Sequence, residues 1–112
     1  MKRLIISGCL GRMGRLIAQE AAAAGFETVF GVDPGSGDSA GFPVYPVFSD
    51  TLPAADVLID FSSPQTLPAL LAFACARSLP CVLGTTGYTE PDLLAVTHAA
   101  ASIPVFRSAN MS

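Results

Sequence analysis

Charge is scarce in this chain. Only 13% of its residues are Asp, Glu, Lys or Arg, against 51% hydrophobic, an apolar balance that suits a sheet covered on both faces. Six Lys and Arg against nine Asp and Glu leave a net charge of −3, which argues against a surface that neutralises nucleic-acid phosphates. The one basic cluster, Lys2, Arg3, Arg12 and Arg15, is enough for a small anion and not for a polyanion. Cysteine is sparse as well: Cys9, Cys75 and Cys81 are odd in number and have no C-x-x-C spacing. Neither a disulfide framework nor a metal site is therefore expected, and the thiols should be buried or half-buried. Long apolar runs are missing, and nothing approaches the roughly 18 residues of a membrane span. The stretch from Leu4 to Ser7 ahead of Cys9 mimics a lipoprotein leader, but it is far shorter than a signal core of roughly 7 to 15 residues, and Arg12 and Arg15 come at once after it. These absences make a cytoplasmic protein with no membrane partner the expectation.

What is present is an alternation. At 112 residues the chain is one domain with room for a core. Short apolar runs at 4–7, 28–32, 57–60, 81–83 and 104–106 predict strands. Between the first two, Leu16, Ile17, Ala21 and Ala24 keep helical spacing after Met13, and Gly25 is a suitable stop. Residues 34–53 are too rich in Pro and Gly for a regular helix and predict a loop around a short strand at 44–47. Ser63-Pro64 supplies an N-cap and first-turn proline for a helix over 65–77, with Leu67, Leu70, Leu71 and Ala74 on one face and Pro68 distorting its first turn. Thr89-Glu90-Pro91-Asp92 caps a third helix, carried by Leu93, Leu94, Val96 and Ala99 to Ala101. The pattern predicts an α/β fold: a Rossmann-like, doubly wound parallel sheet in three layers, α/β/α, with right-handed crossovers.

In such a sheet the ligand lies beyond the carboxyl ends of the strands, so the residues just past each strand carry the functional information. After the first comes Gly8-Cys9-Leu10-Gly11-Arg12-Met13-Gly14. A diphosphate is held by backbone N–H groups at a helix start, and glycine keeps side chains out of the way. The spacing is G-x-x-G-x-x-G rather than the commoner G-x-G-x-x-G, and an ordinary strand-to-helix turn is the competing reading. After the second strand comes Asp33, nineteen residues beyond Gly14 and close to the roughly 20 expected of a carboxylate on an adenosine ribose. It also reads as the residue that initiates the Pro34-Gly35 turn. Asp60, after the third strand, reads as a cap for the next helix, with catalysis the alternative. After the fourth, Gly84-Thr85-Thr86-Gly87 is either a plain turn or small residues that let a flat ring approach the backbone. Ser108-Ala109-Asn110-Met111-Ser112 comes after the fifth. Small or hydrogen-bonding residues at every strand end are what one shared crevice requires.

On Gly8-x-x-Gly11-Arg12-Met13-Gly14, Asp60-Phe61-Ser62-x-Pro64, Gly84-Thr85-Thr86-Gly87 and Ser108-Ala109-Asn110-Met111-Ser112, in that order, the chain resembles 4-hydroxy-tetrahydrodipicolinate reductase, also called dihydrodipicolinate reductase, of lysine and diaminopimelate biosynthesis. The likeness covers the amino-terminal part of a longer family polypeptide. It implies a domain for NADH or NADPH: Gly8, Cys9, Leu10, Gly11, Arg12 and Met13 on the pyrophosphate, Asp33 on the adenine ribose, Gly84, Thr85 and Thr86 on the nicotinamide side, and Ser108, Ala109, Asn110 and Met111 against the nicotinamide. The family delivers hydride to the cyclic product of dihydrodipicolinate synthase, giving tetrahydrodipicolinate, and assembles as a homotetramer largely through its second domain.

The family's paired histidines, nearby lysine and Ser-Gly-Thr loop have no counterpart in these 112 residues, whose only histidine, His98, reads as structural or solvent-facing. No catalytic residue is therefore expected here, and a domain of this extent should bind cofactor without turnover and expose apolar surface through which it self-associates. Asp33 should repel a 2′-phosphate and favour NADH. A stand-alone dinucleotide-binding redox sensor or regulatory module is the reading from another class. The motif-like ending at Asn110-Met111-Ser112 favours the longer reductase.

Overall fold

The computed structural model describes residues 2–35 and 41–107. Its elements run β1 (Arg3–Ser7), α1 (Arg12–Ala23), β2 (Glu27–Val32), β3 (Val44–Tyr45), β4 (Val57–Asp60), α2 (Leu67–Ala76), β5 (Cys81–Leu83), α3 (Glu90–Ala100) and β6 (Val105–Arg107), with a 3-10 turn at Pro64–Thr66 ahead of α2. Every strand pairing is parallel, and the spatial order is β3-β2-β1-β4-β5-β6. The chain moves one way from β1 to β3 and the other way from β4 to β6. Right-handed crossovers then place α1 on one face and α2 and α3, which pack together, on the other. The predicted doubly wound α/β fold is thus what the chain forms, and its direction reverses between β1 and β4, where such sheets open a crevice.

Central position explains the central sequences. Leu4, Ile5 and Ile6 of β1 and Leu58 of β4 are buried because both faces of the sheet are covered. At the margin, Phe106 of β6 is 64% exposed. The α1 stop is as predicted: Gly25 adopts φ +88°, with Gly25 N–H donating to the Ala22 carbonyl and Phe26 N–H to that of Ala21, which closes the helix end. The α3 start is also as predicted, with Thr89 and Asp92 capping each other's backbone N–H groups.

Four local expectations change, in the Ser63 cap, the start of α2 and the buried stripes of α1 and α3, while the distortion expected of Pro68 is present. Ser63 occupies the extended position before the second helical segment but makes no side-chain cap bond. Pro68 has no N–H to continue an α ladder, so the first turn tightens into 3-10 form, with Thr66 N–H donating to the Ser63 carbonyl, and α2 begins at Leu67. The buried stripe of α1 runs through Gly14 and Ala21 rather than Leu16, which is 46% exposed because the helix seats its small residues against the sheet. On α3, Val96 and Ala99 face inward and Leu94 faces out at 68% exposure.

Between β3 and β4 no helix intervenes, and residues 46–56 cross instead as a loop. Arg77 fastens it by donating to the Asp50 and Pro53 carbonyls at 2.9 Å while lying over the Phe73 ring, itself packed on Phe48.

Candidate functional site

The crevice at the β1/β4 reversal is built by glycine in three different ways. Gly8 sits at φ +81°, and a side chain there would run into the Phe61 backbone; its N–H donates to the Val32 carbonyl at 2.8 Å. Gly14, in the first turn of α1, is packed on the Gly8 carbonyl and the Cys9 backbone, leaving no space for a methyl. Gly11 differs from both. It is exposed, its φ is an ordinary −76°, and an added Cβ would meet only the Gly8 oxygen at 3.4 Å. Folding thus requires glycine at 8 and 14, and makes no such demand at 11.

The start of α1 is correspondingly open. Gly11 as N-cap has no side chain to satisfy the first N–H groups, and the first turn holds no acidic residue, whereas α3 closes its own start. The positive end of the helix dipole and its unpaired N–H groups therefore face the crevice. Arg12 is exposed beside them, while Arg15 braces the turn by donating from Nε to the Leu10 carbonyl at 3.0 Å. Cys9 turns inward against Gly31. Burial first, then the Asp33 carboxylate, push its thiol up to about 11, so at neutral pH it is an unreactive thiol that offers a ligand only its main chain.

Asp33 bears out its reading as the residue that starts the Pro34-Gly35 turn. Its Oδ1 accepts from Gly35 N–H at 2.8 Å and initiates the predicted turn. Its Oδ2 accepts from Leu10 N–H at 3.0 Å and ties the end of β2 to the glycine turn. Each carboxylate oxygen retains a lone pair for a further donor.

Asp60 caps no helix. It is 1% exposed, and its oxygens take hydroxyl protons from Ser62 at 2.5 Å and Thr85 at 2.7 Å; the pairing of β4 with β5 brings Thr85 within its reach. The ring that lies against Gly84 is the protein's own: Phe61 fills the space a Gly84 side chain would need. Phe61 thereby touches Gly8 with its backbone and Gly84 with its ring, joining the two turns. Sequence reasoning missed this role, whose only signal was an aromatic residue between two glycine turns that come after adjacent strands. Beyond Gly84, residues Thr85, Thr86, Gly87, Tyr88 and Arg107 line a cavity of about 160 Å³ at the ends of β5 and β6. Tyr88 stays a neutral phenol, pushed up to about 12 by burial and then by Asp60.

Contacts therefore run unbroken from Asp33 through Leu10, Gly8 and Phe61 to Gly84, with Thr85 tied to Asp60 and Ser62. Ser108, Ala109, Asn110 and Met111 lie outside the described residues. A cavity of about 560 Å³ between α1 and the start of β2 shares Cys9 with the crevice, but it reaches Ala22 and Glu27 and lies away from the strand ends. His98 is exposed on α3. Among the described residues there is no cluster of His, Cys, Asp or Glu fit to hold a metal and no helix long and apolar enough to cross a membrane.

Comparison with known proteins gives the geometry a family. Solved structures of similar fold include a conserved hypothetical protein from Pyrococcus furiosus, with TM-score 0.74 and 15% identity over 96% of this chain and 94% of that one. The WlbA dehydrogenase from Thermus thermophilus, in complex with NAD and α-ketoglutarate, aligns with TM-score 0.72 and 14% identity over 96% of this chain and 41% of its own. A dipicolinate-bound dihydrodipicolinate reductase from Paenisporosarcina aligns with TM-score 0.60 and 24% identity over 89% of this chain and 43% of that one. In sequence, the chain is 45% identical to the 4-hydroxy-tetrahydrodipicolinate reductase of Caldanaerobacter subterraneus and 38% identical to that of Clostridium tetani. Both matches cover 100% of this chain but only 45% and 44% of the relatives. The family model described as dihydrodipicolinate reductase, N-terminus, matches residues 2–111, so the chain belongs to the dihydrodipicolinate reductase family and corresponds to the N-terminal part of its members.

Proposed function

We propose that this chain is the NADH- or NADPH-binding part of a 4-hydroxy-tetrahydrodipicolinate reductase. The observation that carries the reading is Gly11: exposed, conformationally ordinary, unneeded by packing, and set at an uncapped helix start between Asp33 and the turn after β5. Residues 8–13 hold the pyrophosphate through main-chain N–H groups, with Arg12 adding charge. Asp33, already fixed by Leu10 and Gly35, accepts from the adenine ribose. Gly84, Thr85 and Thr86, together with Ser108, Ala109, Asn110 and Met111, receive the nicotinamide. The bound cofactor supplies a hydride to the cyclic pathway intermediate. This chain binds and orients it, while the acid and the carboxylate-binding groups come from residues outside these 112. Homotetrameric assembly and a cytoplasmic location belong to the same reading.

Calorimetric titration of the chain with each dinucleotide tests it. NADH is expected to bind tighter than NADPH by about tenfold, because the Asp33 carboxylate repels a 2′-phosphate. Equal or tighter binding of NADPH overturns the preference, and no binding of either overturns the function. In the same preparation, NADH oxidation with the family substrate should stay at background, since the one histidine, His98, lies exposed on α3. Turnover well above background refutes that expectation.

A further inference from the structure

Asp60 is a buried carboxylate whose partners are hydroxyls. A carboxylate withdrawn from water is costly unless hydrogen-bonded, and strand pairing does not ask for one here: β4 and β5 are already joined by main-chain bonds, including Gly84 N–H to the Asp60 carbonyl at 2.8 Å. What the side chain adds joins the turn after β5 to Ser62, just past β4. Oδ2 takes the Thr85 hydroxyl proton at 2.7 Å, Oδ1 takes that of Ser62, and Thr85 Oγ1 accepts in turn from Ser62 N–H at 3.0 Å. Thr85 has therefore given its one proton and one of its two lone pairs. Its rotamer is set from within, by bonds to a charged acceptor that are roughly twice as strong as neutral ones. The same turn is held on its other side by the Phe61 ring against Gly84.

We propose that Asp60 is a positioning residue for the nicotinamide half of the bound dinucleotide. Through Thr85 it holds residues 84–86 in the shape that receives the nicotinamide, without touching the cofactor, and Thr85 presents its main chain rather than its hydroxyl to the ligand. The proposal rests on the dinucleotide reading above. It separates the two halves of the ligand, since the Asp60 network hydrogen-bonds to the turn after β5 and makes no hydrogen bond to residues 8–13, its one approach to them being the Ser62 backbone packed beside Gly8.

The test compares NADH with ADP-ribose, which carries the pyrophosphate and both riboses but no nicotinamide, on wild type, Asp60→Asn, Thr85→Val and Thr85→Ser. Loss of the charged bond should weaken NADH about tenfold in Asp60→Asn and in Thr85→Val. ADP-ribose should change by less than about twofold, and Thr85→Ser, which restores the hydroxyl, should recover most of the NADH affinity lost in Thr85→Val. If NADH and ADP-ribose weaken together, the carboxylate is a general stabiliser and the proposal fails. It fails equally if neither variant changes NADH binding, or if the serine does not rescue. Should Asp60→Asn not fold, the two Thr85 variants decide. Wild type binding neither ligand instead sinks the dinucleotide reading itself.

Discussion

Alanine at Gly14 is expected to lower the thermal midpoint by roughly 10 to 20 °C, the size of an overpacking cost of about 2 to 3 kcal/mol in a domain of this length. The sign is informative, because helix propensity alone predicts the opposite: alanine is better than glycine inside a helix by about 1 kcal/mol. The difference is what the methyl meets. At Gly14 it would be driven into the Gly8 carbonyl and the Cys9 backbone, and main-chain atoms cannot swing aside as a flexible side chain can. Gly8→Ala should be at least as damaging, since it adds a left-handed φ, costing about 1 to 2 kcal/mol, to a collision with the Phe61 carbonyl. Against a typical domain stability of about 5 to 15 kcal/mol, either change consumes a large share. Thermal unfolding monitored by circular dichroism measures both, and a Gly14→Ala midpoint within about 3 °C of wild type contradicts the packing described for the turn.

Those two glycines show why much of the fold was legible. A parallel sheet leaves local marks: β1, β2, β4 and β5 are short apolar runs because both faces are covered, and the breaks after α1 and β5 carry Gly25 and the Thr89/Asp92 box, whose partners lie within a few residues. The ends of such elements are set by local chemistry. What sequence reasoning misplaced depends on distant residues. Asp60 reads as a cap until Thr85, 25 positions later, is brought beside it by the register of β4 with β5. The Phe61 ring occupies the space a side chain at Gly84 would need, a contact across 23 positions that spacing does not reveal. Leu16 and Leu94 satisfy helical spacing, yet each helix seats a neighbouring stripe, because small residues such as Gly14 and Ala21 allow a closer approach to the sheet. At the site, spacing alone put Gly8, Gly11 and Gly14 on an equal footing, and only packing separates them.

That separation makes Gly11→Ala the sharpest probe of the crevice. Its φ of −76° suits any residue, and the added methyl would face solvent with its nearest neighbour at 3.4 Å. The structural cost is thus limited to replacing glycine by alanine at an N-cap, under about 1 kcal/mol, and the thermal midpoint should fall by less than about 5 °C. Ligand binding should suffer far more. A pyrophosphate held by main-chain N–H groups must come within hydrogen-bond distance of residues 11–13, and a methyl at 11 occupies that approach. Losing two charge-assisted bonds at about 1.5 kcal/mol each raises the NADH dissociation constant about a hundredfold. Because the pyrophosphate is common to both ligands, ADP-ribose should weaken as much as NADH, the reverse of the selective loss expected of Asp60→Asn. If Gly11→Ala keeps wild-type affinity, the glycine turn does not hold the pyrophosphate. If it unfolds the chain instead, Gly11 is structural after all, and its exposure no longer points to a ligand.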